Sequence, residues 1–278
     1  MRSASRPLEL VMRYALLLAV LVLMVGPILW QLTTSLKGHA EDIYGQAATL
    51  LPQQPSLNAY TTVITQIPIP TYMRNSLLLV VLSLSSQLIF ATFGGYMLSR
   101  PGWRGRKAVF VLLISCIMFP FESIMVSLYL TVRDLGLMDT IAGVWLPGFV
   151  GVINVLVMRS AFLAVPHEVE DAALLDGATE WQRFWRVFVP SSTGAMMVVG
   201  INTVVSAWDE FLWPLLVLHS EERFTLPLGL ARLSNSAFGV DERVVMAGSI
   251  ISVIPMLILF FLTQRYFYKG VEAGAVKL

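Results

Sequence analysis

The sequence predicts an all-α membrane protein with six transmembrane helices. Three features carry that expectation. The 278 residues are 56% hydrophobic and 13% charged, with a mean hydropathy of +0.72, a balance foreign to a soluble globule of this length. The apolar residues are gathered into runs of about 20, the length a helix needs to cross roughly 30 Å of hydrocarbon. The basic residues crowd alternate ends of those runs.

The runs lie at about 14–36, 75–99, 108–130, 140–163, 192–218 and 244–268, so 1–278 reads as a single transmembrane domain. The first run follows Arg2 and Arg6 as a signal peptide would, but it is too long and lacks a small-x-small cleavage pattern, so an uncleaved anchor is expected. A polar, proline-rich segment from Lys37 to Arg74 follows, expected as an ordered outer loop with short helical pieces. The second run ends at Gly94-Gly95-Tyr96, small residues that suit close helix approach in lipid. Pro120 should break the third run, and Pro147 with its neighbouring glycines should bend the fourth. The Thr225–Leu230 segment reads as a turn or short outer helix before the sixth run.

Orientation follows from Lys and Arg near the span ends. Arg2, Arg6 and Arg13 precede the first run, and Arg100, Arg104, Arg106 and Lys107 fill the tight loop after the second. Arg159 lies at the end of the fourth run, Arg183 and Arg186 lie between the fourth and fifth, and Arg265, Lys269 and Lys277 close the chain. Both termini and the 164–191 segment are therefore expected in the cytoplasm. A net charge of +1 argues against a nucleic-acid partner, and one cysteine, Cys116, allows no disulfide within the chain.

That 164–191 segment is the most informative stretch. Pro166 suits a helix start, and Glu168, Glu170 and Asp171 complement the positive end of the helix dipole. Ala172 and Ala173 keep one surface small, Asp176 follows, and Gly177 permits a bend where a side chain would obstruct. Phe184, Trp185, Val187 and Phe188 then re-enter apolar surroundings while Arg183 and Arg186 stay wet, and Pro190 opens the fifth span. An ordinary amphipathic connector on the lipid surface is the plainer reading of the same composition.

The spacing of Asp171-Ala172-Ala173, Gly177 and Pro190 resembles the EAA coupling loop of ABC importer permeases, in which a partner ATPase grips a short cytoplasmic coupling helix. Asp171 stands where that family usually has Glu. Nearly the whole chain is similar to carbohydrate-importer permeases of the maltose-permease type, second membrane subunit. The similar stretches are Leu128-Tyr129, Gly136 to Thr140, Arg159 to Phe162, Ala207 to Phe211, Thr225 to Leu230 and the tail Gly270 to Lys277. The resemblance implies the ABC importer type I fold and a heterodimer with a second permease subunit. It further implies ATP-binding subunits and an extracytoplasmic solute-binding protein or lipoprotein, in the cytoplasmic membrane of a prokaryote. The coupling residues it implies are Glu170, Asp171, Ala172, Ala173, Asp176, Gly177 and Pro190. ATP and Mg belong to the partner ATPase, because no G-x-x-x-x-G-K-[ST] stretch exists here, and His39, His167 and His219 show no metal-ligand spacing.

Ionisable groups within spans are costly and point to a pathway or a partner. Glu122 lies roughly 22 Å beyond Lys107 at 1.5 Å per residue, and Asp209 and Glu210 reach a similar depth. With Tyr129 and Trp208 these are the substrate-pathway candidates, since aromatic faces and acidic acceptors suit sugars. Glu122 reads equally as a cap on the break after Pro120, and Asp209 and Glu210 equally as interfacial acids. The absence of Lys and Arg at that depth favours a neutral or amino-bearing sugar over a glycerol phosphate. A glycerol-phosphate-type permease, a stand-alone secondary transporter with Glu122 and Asp209 as a proton relay, and an intramembrane enzyme are the alternatives. The relay should bring inverted repeats and the enzyme a nucleophile–base pair, and neither pattern is visible, so a non-catalytic transport subunit is expected.

Overall fold

A computed structural model describes residues 5–234 and 241–275, with side chains over 9–232 and 241–264. Arg2 and Lys277 of the expected cytoplasmic ends, and the side chains of Arg6, Arg265 and Lys269, lie outside the described residues. Every regular element among the described residues is helical. Three helices are long and apolar enough to cross a membrane unaided: Glu9–Ser35 within α1 (Ser5–Ser35), α3 (Ile69–Ser99), and Glu242–Gln264 within α14 (Glu242–Ala275).

The other three spans are bent pairs. α4 (Arg106–Ile117) and α5 (Phe121–Asp134) meet at 100° around Pro120, whose extended backbone starts the second helix. α6 (Ile141–Trp145), continued through Gly148, meets α7 (Val152–Leu163) at 43°. α9 (Glu180–Arg183) and α10 (Val189–Ser191) flank a π-helical turn, Phe184–Phe188, and α11 (Thr193–Asp209) leaves this stretch at 72°. The fifth span therefore departs from expectation in two respects. Its helical stretch begins before Pro190, which sits at the start of α10 just after the π turn, where its missing N–H leaves no bond unmade. It stops at Asp209 rather than continuing to Leu218, because Glu210 adopts an extended backbone (φ −62°, ψ 119°) and α12 (Leu212–Val217) starts afresh.

Two compact units can be distinguished. The first comprises Met1–Ile69 and Gly229–Leu257. Its outer segment is ordered by side chains: Glu41 accepts N–H bonds from Gly38, Gln53 and Gln54, and Arg243 binds Asp241 and the Glu41 carbonyl. Ser35 and Tyr60 hydroxyls meet at 2.8 Å, fixing α2 (Asn58–Gln66) to the end of α1. These contacts meet the expectation of an ordered outer loop with helical pieces.

The second unit comprises Pro70–Leu228 and Ile258–Leu278. Its core joins α3, α7 and the π turn through Ala91, Tyr96, Val155, Met158, Phe162, Phe184 and Phe188. Close approach is possible because a Cβ at Gly95 would stand 2.7 Å from Met158 Cβ and 2.8 Å from the Arg159 backbone nitrogen. The small pair Gly94-Gly95 thus does what its composition suggested. At the other end, Asp139 holds the 136–140 turn to the loop after α12, accepting the N–H groups of His219 and Ser220 and the Ser220 hydroxyl. Partial burial pushes the Asp139 carboxyl up, but these bonds outweigh it and hold the group below the ordinary aspartate range.

Candidate functional site

Two regions of the second unit carry the residues singled out in the sequence. The first is the 164–191 segment. α8 (His167–Leu175) starts at extended Pro166 and has Glu168 and Glu170 in its first turn. It ends in a Schellman arrangement: Ala178 N–H donates to the Ala173 carbonyl and Gly177 N–H to the Leu174 carbonyl, each at 3.0 Å. Gly177 sits at φ +74° with nothing within 4 Å of a would-be Cβ. Glycine is demanded there by the left-handed backbone, not by a shortage of room. Thr179 and Gln182 then form a reciprocal capping box that opens α9.

What fastens this helix–turn–helix to the span is an ionic clasp. The Glu170 carboxylate accepts from Arg100, at the foot of α3, at 2.5 Å and from Arg183 of α9 at 2.8 Å, with side chains 18%, 16% and 13% exposed. Arg183 also pairs with Glu180, which accepts from the Tyr96 hydroxyl at 2.5 Å. The Arg100 guanidinium lies 4.1 Å from the centre of the Phe188 ring, and Phe184 stands 4.8 Å from Tyr96 and 5.1 Å from Phe93, centre to centre. Arg183 was expected to stay wet; it is half-buried, its guanidinium answering two carboxylates.

Of the coupling candidates, Glu170 is engaged within the chain, whereas Asp171, Ala172, Asp176 and Gly177 are exposed and Ala173 is half-buried. Pro190 is exposed in α10. Around the acids an apolar surface is open: Leu175 is 90% and Leu174 49% exposed at the tip of α8, with Val169 on the same helix and Trp181 on the next.

The second region is a cavity of about 250 Å³. Its wall takes Ser83 and Gln87 from α3, Phe121 from α5, Trp145 from α6, Thr203 and Ser206 from α11, and Glu210 and Trp213 around the α11–α12 break. An amide network centred on buried Asn154 and Thr203 supports it. Gln87 donates to the Gly148 carbonyl and accepts from Asn154 and Thr203, while Asn202 donates to Asn154. The tryptophans are fixed through their N–H groups, Trp145 on Ser86 and Trp213 on the Gly143 carbonyl. Glu210 accepts from the backbone N–H of Trp213 at 3.2 Å, capping α12.

Of the five pathway candidates only Glu210 lines this cavity. Trp208 is 4% exposed and buried in the fold, Asp209 is exposed as the last residue of α11, and Tyr129 is half-buried on α5. Glu122 is exposed in the first turn of α5, beside the cavity residue Phe121. A search for charges missed Gln87, Asn154, Asn202 and Thr203. The available signal was uncharged hydrogen-bonding groups inside apolar spans, which need partners there.

Comparison with known proteins now places the chain. Residues 87–273, more than half of it, match the family described as binding-protein-dependent transport system inner membrane component. The arabinooligosaccharides transport system permease protein AraQ of Halalkalibacterium halodurans is 36% identical over 74% of each chain. The inner membrane ABC transporter permease protein YcjP of Escherichia coli is 30% identical over the full length of both. The diacetylchitobiose uptake system permease protein DasC of Streptomyces coelicolor is 30% identical, over 91% of this chain and 92% of that one. Among solved structures, a chain of a bacterial ABC transporter for import of the acidic polysaccharide alginate superposes with a TM-score of 0.86 at 26% identity, covering 96% of this chain and 99% of that one. Six spans, the profile match and a full-length relative at 30% identity agree: this chain is a multi-pass ABC transporter permease and belongs to the family of binding-protein-dependent transport system inner membrane components.

Proposed function

We propose that the chain is one of two membrane-spanning permease subunits of an ATP-driven importer that moves a carbohydrate into the cytoplasm. The second permease subunit completes the pathway, and ATP-binding subunits hold ATP and Mg. An external solute-binding protein or lipoprotein delivers the substrate. Both termini and α8 face the cytoplasm of a prokaryotic cell, as the basic residues of the loops argue. The carbohydrate class is supported by the names of the relatives, whose substrates are arabinooligosaccharides and diacetylchitobiose, and by the alginate importer. Nothing among them favours the glycerol-phosphate alternative.

One observation carries the mechanical part. α8 presents Leu174, Leu175, Asp171 and Asp176 outward while Glu170 ties it inward to Arg100 and Arg183. An apolar tip held by a buried clasp is suited to docking in a partner's cleft and to moving the span behind it. α3 carries that motion: Tyr96 and Arg100 meet the coupling segment, and Ser83 and Gln87, a few turns along the same helix, line the cavity. Closure of the ATPases would thus shift the cavity wall without unfolding anything between.

Co-purification tests the docking role. Leu175→Asp and Asp171→Lys should each leave the permease in the membrane and sharply reduce recovery of the ATP-binding subunits. Recovery equal to wild type in both variants would remove α8 as the docking element.

A further inference from the structure

The cavity wall sorts its polar groups into committed and uncommitted ones. Gln87 and Thr203 are consumed by the amide network. The hydroxyls of Ser83 and Ser206 have no partner among the described residues, and Glu210 uses one carboxylate oxygen on Trp213 N–H, leaving the other. Opposite in chemistry are the rings of Trp145, Trp213 and Phe121, the last two edge to face at 5.9 Å. The wall holds no Lys or Arg. Its volume of about 250 Å³ exceeds the roughly 150 Å³ of a cavity that takes one benzene, enough room for one sugar ring with its hydroxyls.

We propose that this chain itself supplies a sugar subsite: the cavity takes one uncharged glycosyl ring, its apolar face on the Trp145–Trp213–Phe121 wall and its hydroxyls on Glu210, Ser83 and Ser206. The inference rests on the importer reading and adds that selection is shared by this subunit. The fit is chemical. A carboxylate oxygen accepts only, so it wants the O–H donors a polyol offers, and two hydroxyls accept or donate as the ring requires. The two tryptophans, fixed by their own N–H bonds, and Phe121 packed on Trp213 cost little ordering on binding. A ring entering this site leaves no polar wall group unpaired, whereas a purely apolar guest would strand all three.

The test uses the assembled importer in proteoliposomes, in a Cys116→Ser background, with Ser206→Cys labelled by an uncharged methanethiosulfonate. The probes are an arabinooligosaccharide, lactose and diacetylchitobiose. The probe that drives ATP-dependent uptake should slow labelling about twofold at its half-saturating concentration and about tenfold at ten times that concentration. Ser83→Leu, which fills the cavity, should abolish that protection and raise the uptake KM roughly tenfold. Glu210→Gln, which keeps an acceptor for Trp213 N–H, should raise KM about three- to tenfold without loss of assembly, separating binding from folding. Unprotected labelling, with an unchanged KM in Glu210→Gln, would overturn the subsite while ATP-driven uptake leaves the importer reading standing. No ATP-dependent uptake of any of the three saccharides by wild type would overturn the carbohydrate reading and the subsite with it.

Discussion

Replacing Glu170 by glutamine tests the clasp that anchors the coupling helix. One carboxylate serves two guanidinium groups, and all three side chains are less than a fifth exposed. Removing one partner of a buried pair costs about 3–5 kcal/mol, because the remaining charge is left uncompensated. Here the loss is smaller. Arg183 keeps Glu180, Arg100 keeps its place over the Phe188 ring, and the glutamine carbonyl still accepts one bond. Arg183 Nε already lacks a partner among the described residues, so the pair is not ideally satisfied even in wild type. About 1–3 kcal/mol is therefore expected. In a chain of this size each kcal/mol moves Tm by about 2–4 °C, giving a fall of roughly 4–8 °C for a mid-range loss. The assay is thermal unfolding of the purified permease for Glu170→Gln, Arg183→Gln and the double variant. A coupling energy of about 0.5–3 kcal/mol is expected from residues in direct contact. Additive effects, or a Glu170→Gln midpoint within about 1 °C of wild type, would refute the clasp as a source of rigidity.

Other expectations are more local. Gly95→Ala places a methyl 2.7 Å from Met158 Cβ and 2.8 Å from backbone, so α3 and α7 must separate; a loss of about 1–3 kcal/mol should appear in the same unfolding assay. Gly177→Ala should cost about 1–2 kcal/mol because its backbone is left-handed, with Gly177→Asn milder, and equal stability of all three would contradict the Schellman turn. Nothing lies within 4 Å of a Cβ at Gly177, so Gly177→Trp should carry the strain of the left-handed backbone yet still insert, and should lose ATP-driven uptake; normal uptake would count against docking at this turn. For Asp139 the folded carboxyl titrates below its unfolded value, so its stabilisation is present above about pH 4 and is lost as pH falls through the folded value. The Tm gap between wild type and Asp139→Asn should accordingly be full at pH 6 and shrink below about pH 4.

Much of the fold was legible because membrane spans announce themselves by length and apolarity. Pro120 and Pro147 marked breaks that the helices obey, and Gly94-Gly95 marked the closest helix approach. Where sequence failed, the cause was tertiary. The clasp joins Glu170 to an arginine 70 residues earlier, so Arg183 looked like a solvent-facing charge and the tie of Glu170 to the rest of the chain went unseen. The end of α11 was missed because Asp209 and Glu210 sit in an apolar run that nothing punctuates before Pro214, while the chain turns at Glu210 to cap the next helix. The cavity escaped because it is built mainly of serine, glutamine, threonine and aromatic side chains from four separated stretches. Charge marked one of its residues, Glu210, and missed the network behind it.

Reconstitution in liposomes with and without the ATP-binding subunits bears on the central claim more directly than any variant. The account predicts saccharide accumulation only when those subunits, ATP and the solute-binding protein are all supplied. Accumulation by the two permease subunits alone, driven by an ion gradient or by nothing, would contradict it.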